Sequence, residues 1–192
     1  MIQTIFAYAA MIISIGSSIP YIIETIQGKV KPERVSWFIW VLLGIVYFWT
    51  AVVEEGAVVF SFGELIGPTA AFLLALKFGV GGKSRLDIVM LIIALVAIVL
   101  LFFTEDPLIS LLLALLADSI AMFITLVKFH GDRSSESRIT WAMLSFSAFL
   151  ALLSLKVVNF ETLAFPVYSM VTAGYIAIMV RNPKLDNADA KK

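Results

Sequence analysis

Seven apolar runs, each separated from the next by a short polar or helix-breaking segment, constrain this chain more than any other feature. They cover about residues 3–26, 36–54, 57–78, 86–104, 107–129, 139–157 and 160–181. A bilayer core about 30 Å thick is crossed by roughly 20 apolar residues in a helix. A helix also pairs its own backbone N–H and C=O groups, which hydrocarbon demands. Composition points the same way: 61% of the 192 residues are apolar and 15% are charged, against about 45–50% and about 25% in a soluble domain. A core of this size cannot hide that excess, so a soluble domain and a disordered chain are both excluded. The expectation is an all-α polytopic membrane protein with seven transmembrane helices.

The separators are Gly28 to Arg34, Glu54-Glu55-Gly56, Gly79 to Arg85, Glu105-Asp106-Pro107, Gly131 to Arg138 and Val158-Asn159. Asp106 followed by Pro107 reads as a capping side chain and a first-turn proline, and Asn159 reads as a cap. Connections this short force successive spans to run antiparallel. The first lysine is Lys29, after the first span, so that span lacks the basic leader of a cleavable signal.

Charge then orients the spans. Lys29, Lys31, Arg34, Lys77, Lys83, Arg85, Lys128, Arg133, Arg138, Arg181, Lys184, Lys191 and Lys192 make 13 of the 14 Lys and Arg residues, and all fall on one side. The other side carries Lys156 with Glu54, Glu55, Glu105, Asp106 and Glu161. Cytoplasmic loops collect Lys and Arg, so the expected topology in the cell membrane is N-terminus outside and C-terminus cytoplasmic. The net charge of zero predicts no nucleic-acid partner. With no cysteine there is neither a disulfide nor a thiolate site. The single histidine, His130, reads as solvated in the 5–6 loop and makes a His-based metal cluster unexpected. Gly79-Val80-Gly81-Gly82 lacks the G-x-x-x-x-G-K-[ST] pattern. No nucleophile–base pair is evident, so no enzyme and no cofactor are expected.

The chain also repeats itself. Arg34-Val35-Ser36-Trp37 and Arg138-Ile139-Thr140-Trp141 carry the same four chemical types 104 residues apart. Ser18-Ile19-Pro20 matches Ser119-Ile120-Ala121, and Gly28 matches Gly131, if the second loop is two residues longer. Spans 1–3 thus look like spans 5–7 in the same orientation, with span 4 as the inverting helix. The resulting plan is 3+1+3: residues 1–78, a linker and helix over 79–104, residues 105–181, and a polar tail over 182–192. Parallel repeats of this kind form a known transporter architecture with a midplane site. A simpler origin for the matching tetrapeptides is interface chemistry, since Arg flanks spans and Trp sits at headgroup depth.

On Pro20 in span 1, the basic loop after it, and Ser36-Trp37 opening span 2, residues 10–181 resemble the SWEET, semi-SWEET and PQ-loop superfamily. They also resemble the bacterial nicotinamide riboside transporters that share its fold. The Pro-Gln pair of the PQ-loop proteins is replaced by Pro20-Tyr21 here and by Ala121-Met122 in the second triplet. The resemblance implies a SWEET-like parallel-repeat arrangement with a solute site between the two triplets. The same fold also serves a sorting receptor, so fold does not by itself decide function.

Polar residues within the spans supply candidates. Ionisable groups at mid-bilayer are costly, by about 2.5–3.5 kcal/mol on insertion scales, and persist facing a bundle interior or a wet cavity. Asp118 lies near the middle of span 5 and Glu64 within span 3. Aligned as above, Asp118 corresponds to Ser17. The two acids read either as a proton-coupling pair or as hydrogen-bonded packing glue; Glu24, near the basic end of span 1, reads as structural. Pro20, Pro68 and Pro166 each remove a backbone donor inside a span. With Gly16 and Gly67 they form candidate hinges, or static kinks. Trp37, Trp40 and Trp141, with Ser36 and Thr140 beside them, read as an aromatic clamp for a flat or sugar-like ring. The competing reading for Trp37 and Trp141 is an aromatic belt. Tyr168 and Ser17 complete the candidate substrate site.

The expected function is a small-solute transporter or facilitator using alternating access, with a sugar-like, amino-acid-like or nucleoside-like substrate and proton coupling as an option. A non-transporting receptor or scaffold of the same fold is the alternative. A solute and the lipid bilayer are the expected partners. One chain holds both triplets, so a monomer suffices, though a homo-oligomer stays open.

Overall fold

The computed structural model describes residues 2–53 and 58–181, leaving aside the side chains of 50–53 and 58–64. The described residues are all-helical, without a β-strand: α1 (Ile2–Ile26), α2 (Arg34–Val53), α3 (Val58–Phe78), α4 (Arg85–Leu101), α5 (Pro107–Gly131), α6 (Arg138–Ser154) and α7 (Phe160–Met179). These follow the seven apolar runs to within three residues at each end. Of them α1, α5 and α7 are long and apolar enough to cross a membrane; the stretches 34–49, 65–78 and 138–154 are apolar but shorter. Glu54, Glu55 and the 182–192 tail lie outside the described residues.

The ends are set locally. Asp106 accepts from the backbone N–H of Leu108 (2.8 Å) and Ile109 (3.1 Å), with Pro107 in the first turn, as expected. Asn159 caps α7 through Thr162, Ser84 forms a reciprocal capping box with Asp87, and Ser137 caps α6. Each satisfies donors that the first helical turn leaves orphaned. Beyond α1, Gly28 takes a left-handed φ of 70°, and the Lys29 and Val30 N–H groups fold back to the Glu24 carbonyl. Pro20, Pro68 and Pro166 all lie within unbroken helices.

Packing follows a distinct order. α3 lies against both α1 and α2, and α7 against both α5 and α6. Two further seams join these groups, α1 on α6 and α2 on α5, while α4 rests on α5 and α2. Gly67 lets α3 approach α1 closely, since a Cβ there would stand 2.3 Å from the Ser18 hydroxyl. That close approach is a job for Gly67 separate from hinge bending. The interior holds three apolar clusters, and Trp40 borders all of them. The outside is studded with exposed apolar side chains, including Ile12, Ile19, Ile92, Val96 and Ile178. Monomeric soluble proteins rarely expose contiguous apolar surface beyond a few hundred Å².

Candidate functional site

The repeated tetrapeptide does the same three things in both places. Its arginine reaches the end of a neighbouring helix: the Arg34 guanidinium donates to the carbonyls of Ala75 and Gly81, both at 3.1 Å, and Arg138 donates to the Val180 carbonyl. Cations at helix C-termini satisfy orphan carbonyls and complement the dipole. Its hydroxyl crosses a seam. The Ser36 hydroxyl donates to Ala121 O across α2–α5 (2.7 Å), and the Thr140 hydroxyl to Ser17 O across α6–α1 (3.1 Å). Donor to donor and acceptor to acceptor, these two bonds are related by one offset of 104 residues. That register differs from the 101-residue offset that Ser18-Ile19 and Ser119-Ile120 suggest. It pairs Asp118 with Ser14 rather than with Ser17.

The tryptophan of each tetrapeptide faces a central cavity of about 350 Å³. Six helices line it, all but α4. Trp37, Trp40, Thr140, Trp141, Tyr168, Ser17 and Asp118 are all on its wall, with Gly67, Pro68 and Pro166. Ser36 is not: it is fully buried and its hydroxyl is committed to the α2–α5 seam. Gly16 and Pro20 also lie off the wall. The Glu64 side chain lies outside the described residues. Trp37 and Trp141 are 9% and 3% exposed, which overturns the belt reading for both.

The clamp takes a different form from the one expected. Trp37 and Trp40 meet edge to face with centroids 4.9 Å apart, and Trp40 and Trp141 at 6.3 Å. Edge-to-face contact at such spacing is favourable in itself, but it leaves no slot for a guest ring. The indoles form a continuous wall to stack against, not a sandwich. Tyr21, 4.8 Å from Trp37, extends that wall.

Each indole N–H is paired inside the protein: Trp37 with the Tyr21 hydroxyl (2.9 Å), Trp40 with Asp118 Oδ1 (2.9 Å), Trp141 with Glu136 Oε2 (2.8 Å). Tyr168 lies next to Asp118, with its buried hydroxyl turned toward Asp118 and Ser119.

Beyond the end of the cavity at Tyr21, Trp37, Thr140 and Trp141, the loops over 28–34 and 131–138 interlock. Lys31 N–H donates to Ser135 O (3.0 Å), and Lys128 Nζ donates to Lys31 O (2.7 Å) while pairing with the buried Glu136 carboxylate. Lys31 Nζ reaches Asp132 at 3.3 Å on the surface, and hydrogen bonds from Ser134 and this lysine hold the Asp132 carboxyl below its usual range. Glu33 is 2% exposed. Burial pushes its carboxyl up, against hydrogen bonds from Ser36 that pull it down. Gly81, at φ 78°, leaves the space that Glu33 Oε1 fills. Glu33, Lys128, Glu136 and Tyr21 are contributors that the sequence reading passed over. Their one signal was an acid just before each hydroxyl-and-tryptophan segment. His130 is exposed as expected, but it is engaged, stacked on Tyr175 with Nε2 2.8 Å from the Tyr175 hydroxyl.

No family model matches the chain, and no curated protein or solved structure matches it.

Proposed function

We propose that the chain is a seven-span protein of the cell membrane, N-terminus outside, that carries a small solute through the central cavity by alternating access. The observation that carries this reading is a roughly 350 Å³ polar-and-aromatic chamber inside a bundle whose outer face is apolar. Ligand sites typically occupy about 300–1,000 Å³ between helices of a bundle, with a few polar groups on an apolar wall.

The 3+1+3 plan is supported by three independent matches. The third helix of each triplet packs against the other two, the α1–α6 and α2–α5 seams are reciprocal, and the Ser36 and Thr140 bonds share one offset. Two similar units joined at two like seams can rock against each other, opening the chamber to one face and then the other. The interlocked 28–34 and 131–138 loops shut the basic, cytoplasmic side, so solute reaches the cavity from the opposite face. Asp118, with Glu64 as its partner acid, exchanges protons during the cycle. The plan agrees with the SWEET-like resemblance.

Purified protein in proteoliposomes tests this directly. Labelled sugars, amino acids and nucleosides are offered with and without a proton gradient, and at least one is expected to accumulate or equilibrate faster than in protein-free vesicles. Asp118→Asn is expected to change the pH dependence of uptake while the protein still inserts. A failure of every solute, with folded protein verified in the vesicles, removes the transport reading.

A further inference from the structure

The central cavity is electrostatically one-sided. Among the described residues its wall carries one acid, Asp118, and no Lys, Arg or His. Trp40 Nε1 donates one hydrogen bond to that carboxylate, a neutral partner that leaves the charge uncompensated. A lone carboxylate in a low-dielectric interior is expensive, and either a proton or a counter-charge relieves it. The surrounding wall suits a particular kind of counter-charge. Three indoles and the Tyr21 and Tyr168 rings share the wall with the acid, Trp40 and Tyr168 next to it, and the negative face of an aromatic ring attracts cations within about 6 Å of its centroid. Serine and threonine hydroxyls from α1, α6 and α7, including Ser14, Ser147 and Thr172, supply neutral polar contacts. The Tyr168 hydroxyl lies beside the acid as a second neutral neighbour.

From this juxtaposition we infer that the cavity binds a small organic cation, an alkylammonium or protonated amine, with its charge held between the Asp118 carboxylate and the indole wall. This rests on the proposed reading of the cavity as a solute site and narrows its substrate class. A bare inorganic cation fits less well, because it would rely on one carboxylate and neutral hydroxyls and make little use of the aromatic wall. An anion would meet a carboxylate with no basic group to offset it.

The test uses choline and its uncharged carbon isostere 3,3-dimethylbutan-1-ol, which share shape and differ in charge. Binding to the full-length protein in detergent is read by indole fluorescence and by thermal stabilisation, since a ligand of the folded state raises the apparent melting temperature. Choline is expected to bind about tenfold or more tightly than the isostere, the scale of a desolvated cation–π contact with a nearby carboxylate. In Asp118→Asn, whose amide oxygen can keep the Trp40 bond, that preference is expected to fall below about twofold, with the isostere's affinity unchanged. Asp118→Glu is expected to retain it. Equal binding of the two probes by the unmodified protein, or no choline binding, overturns the inference without any variant. A preference that survives in folded Asp118→Asn overturns the role of the acid. Should proteoliposomes instead carry an uncharged solute while choline fails to bind, transport stands and the cation class falls.

Discussion

Trp37 and Trp141 occupy matching places in two matching segments, yet their indoles are anchored by different chemistry. Trp37 donates to a neutral phenol, Tyr21. Trp141 donates to a carboxylate, Glu136, that also holds Lys128. The same asymmetry appears one turn deeper, where the 104-residue register sets Ser14 against Asp118. Similar backbones therefore carry unlike charge: the first segment is neutral at these positions, and the second has Asp118 on the cavity wall and Glu136 in the loop beyond it. In the proposed 3+1+3 reading the two units supply like shapes, and their departures from each other supply the polarity of the cavity.

The sharpest way to break this comparison is to strip charge from one half and a neutral partner from the other. Lys128→Met leaves Glu136, whose side chain is 1% exposed, without its cation. Removing one member of a buried pair costs about 3–5 kcal/mol. Tyr21→Phe removes the hydroxyl that accepts from Trp37 and faces Glu136 without stranding a charge, worth about 1–2 kcal/mol. Denaturant unfolding in detergent checks the ratio, and comparable losses would mean that the charged anchor has no special weight. Next come the indoles themselves. Trp141→Phe is expected to cost about 1.5–3 kcal/mol more than loss of ring area alone, and Trp37→Phe about 1 kcal/mol, because hydrogen bonds to charged groups are the stronger ones.

A third comparison uses pH. The Ser36 hydroxyl has one proton and two acceptors within reach, Ala121 O at 2.7 Å and Glu33 Oε2 at 2.9 Å. Glu33 accepts from both the Ser36 hydroxyl and the Ser36 backbone N–H, and burial outweighs the downward pull of these bonds on its carboxyl. Its folded carboxyl holds a proton above the ordinary glutamate range. Stability from it is thus fully present below that range and is lost as pH rises through the raised folded value. Melting curves of the wild type and Glu33→Gln are expected to diverge with rising pH, the wild type losing ground; the opposite trend would refute the assignment. The smallest effect belongs to Asp132 on the surface. Its carboxyl is held low, so its contribution is present above the ordinary aspartate range and is lost as pH falls through the folded value. The Lys31–Asp132 pair is half exposed, so Asp132→Asn is expected to cost about 0–1 kcal/mol and to be masked by high salt.

Much of the fold was legible because its signals are local. Helix length follows from apolar run length, and the caps at Asp106 and Asn159 need only side chain and backbone a few residues apart. The tetrapeptide was legible as a repeat but not as a device, because its arginine and hydroxyl contacts go to residues roughly 40 to 120 positions away. The Ser18-Ile19 match misled the register of α1 against α5. Apolar helix faces tolerate many apolar exchanges, so short identities there carry little information, whereas the two seam hydrogen bonds tie particular residues together at one shared offset. Ser36 looked like a ligand group and proved to be a seam bond. Glu33, Glu136 and Lys128 looked like solvated loop charge, and are buried because two loops fold over the cavity end.

What the sequence determined alone was the number, extent and capping of the helices, and the presence of a matched pair of segments. Those depend on hydrophobic run length and on hydrogen bonds within a turn. What only the tertiary structure decided was which side chains share the chamber, that the indoles close into a wall, and that Asp118 stands there without a cation among the described residues. Those depend on where helices distant in sequence come to rest, and no spacing along the chain encodes that directly.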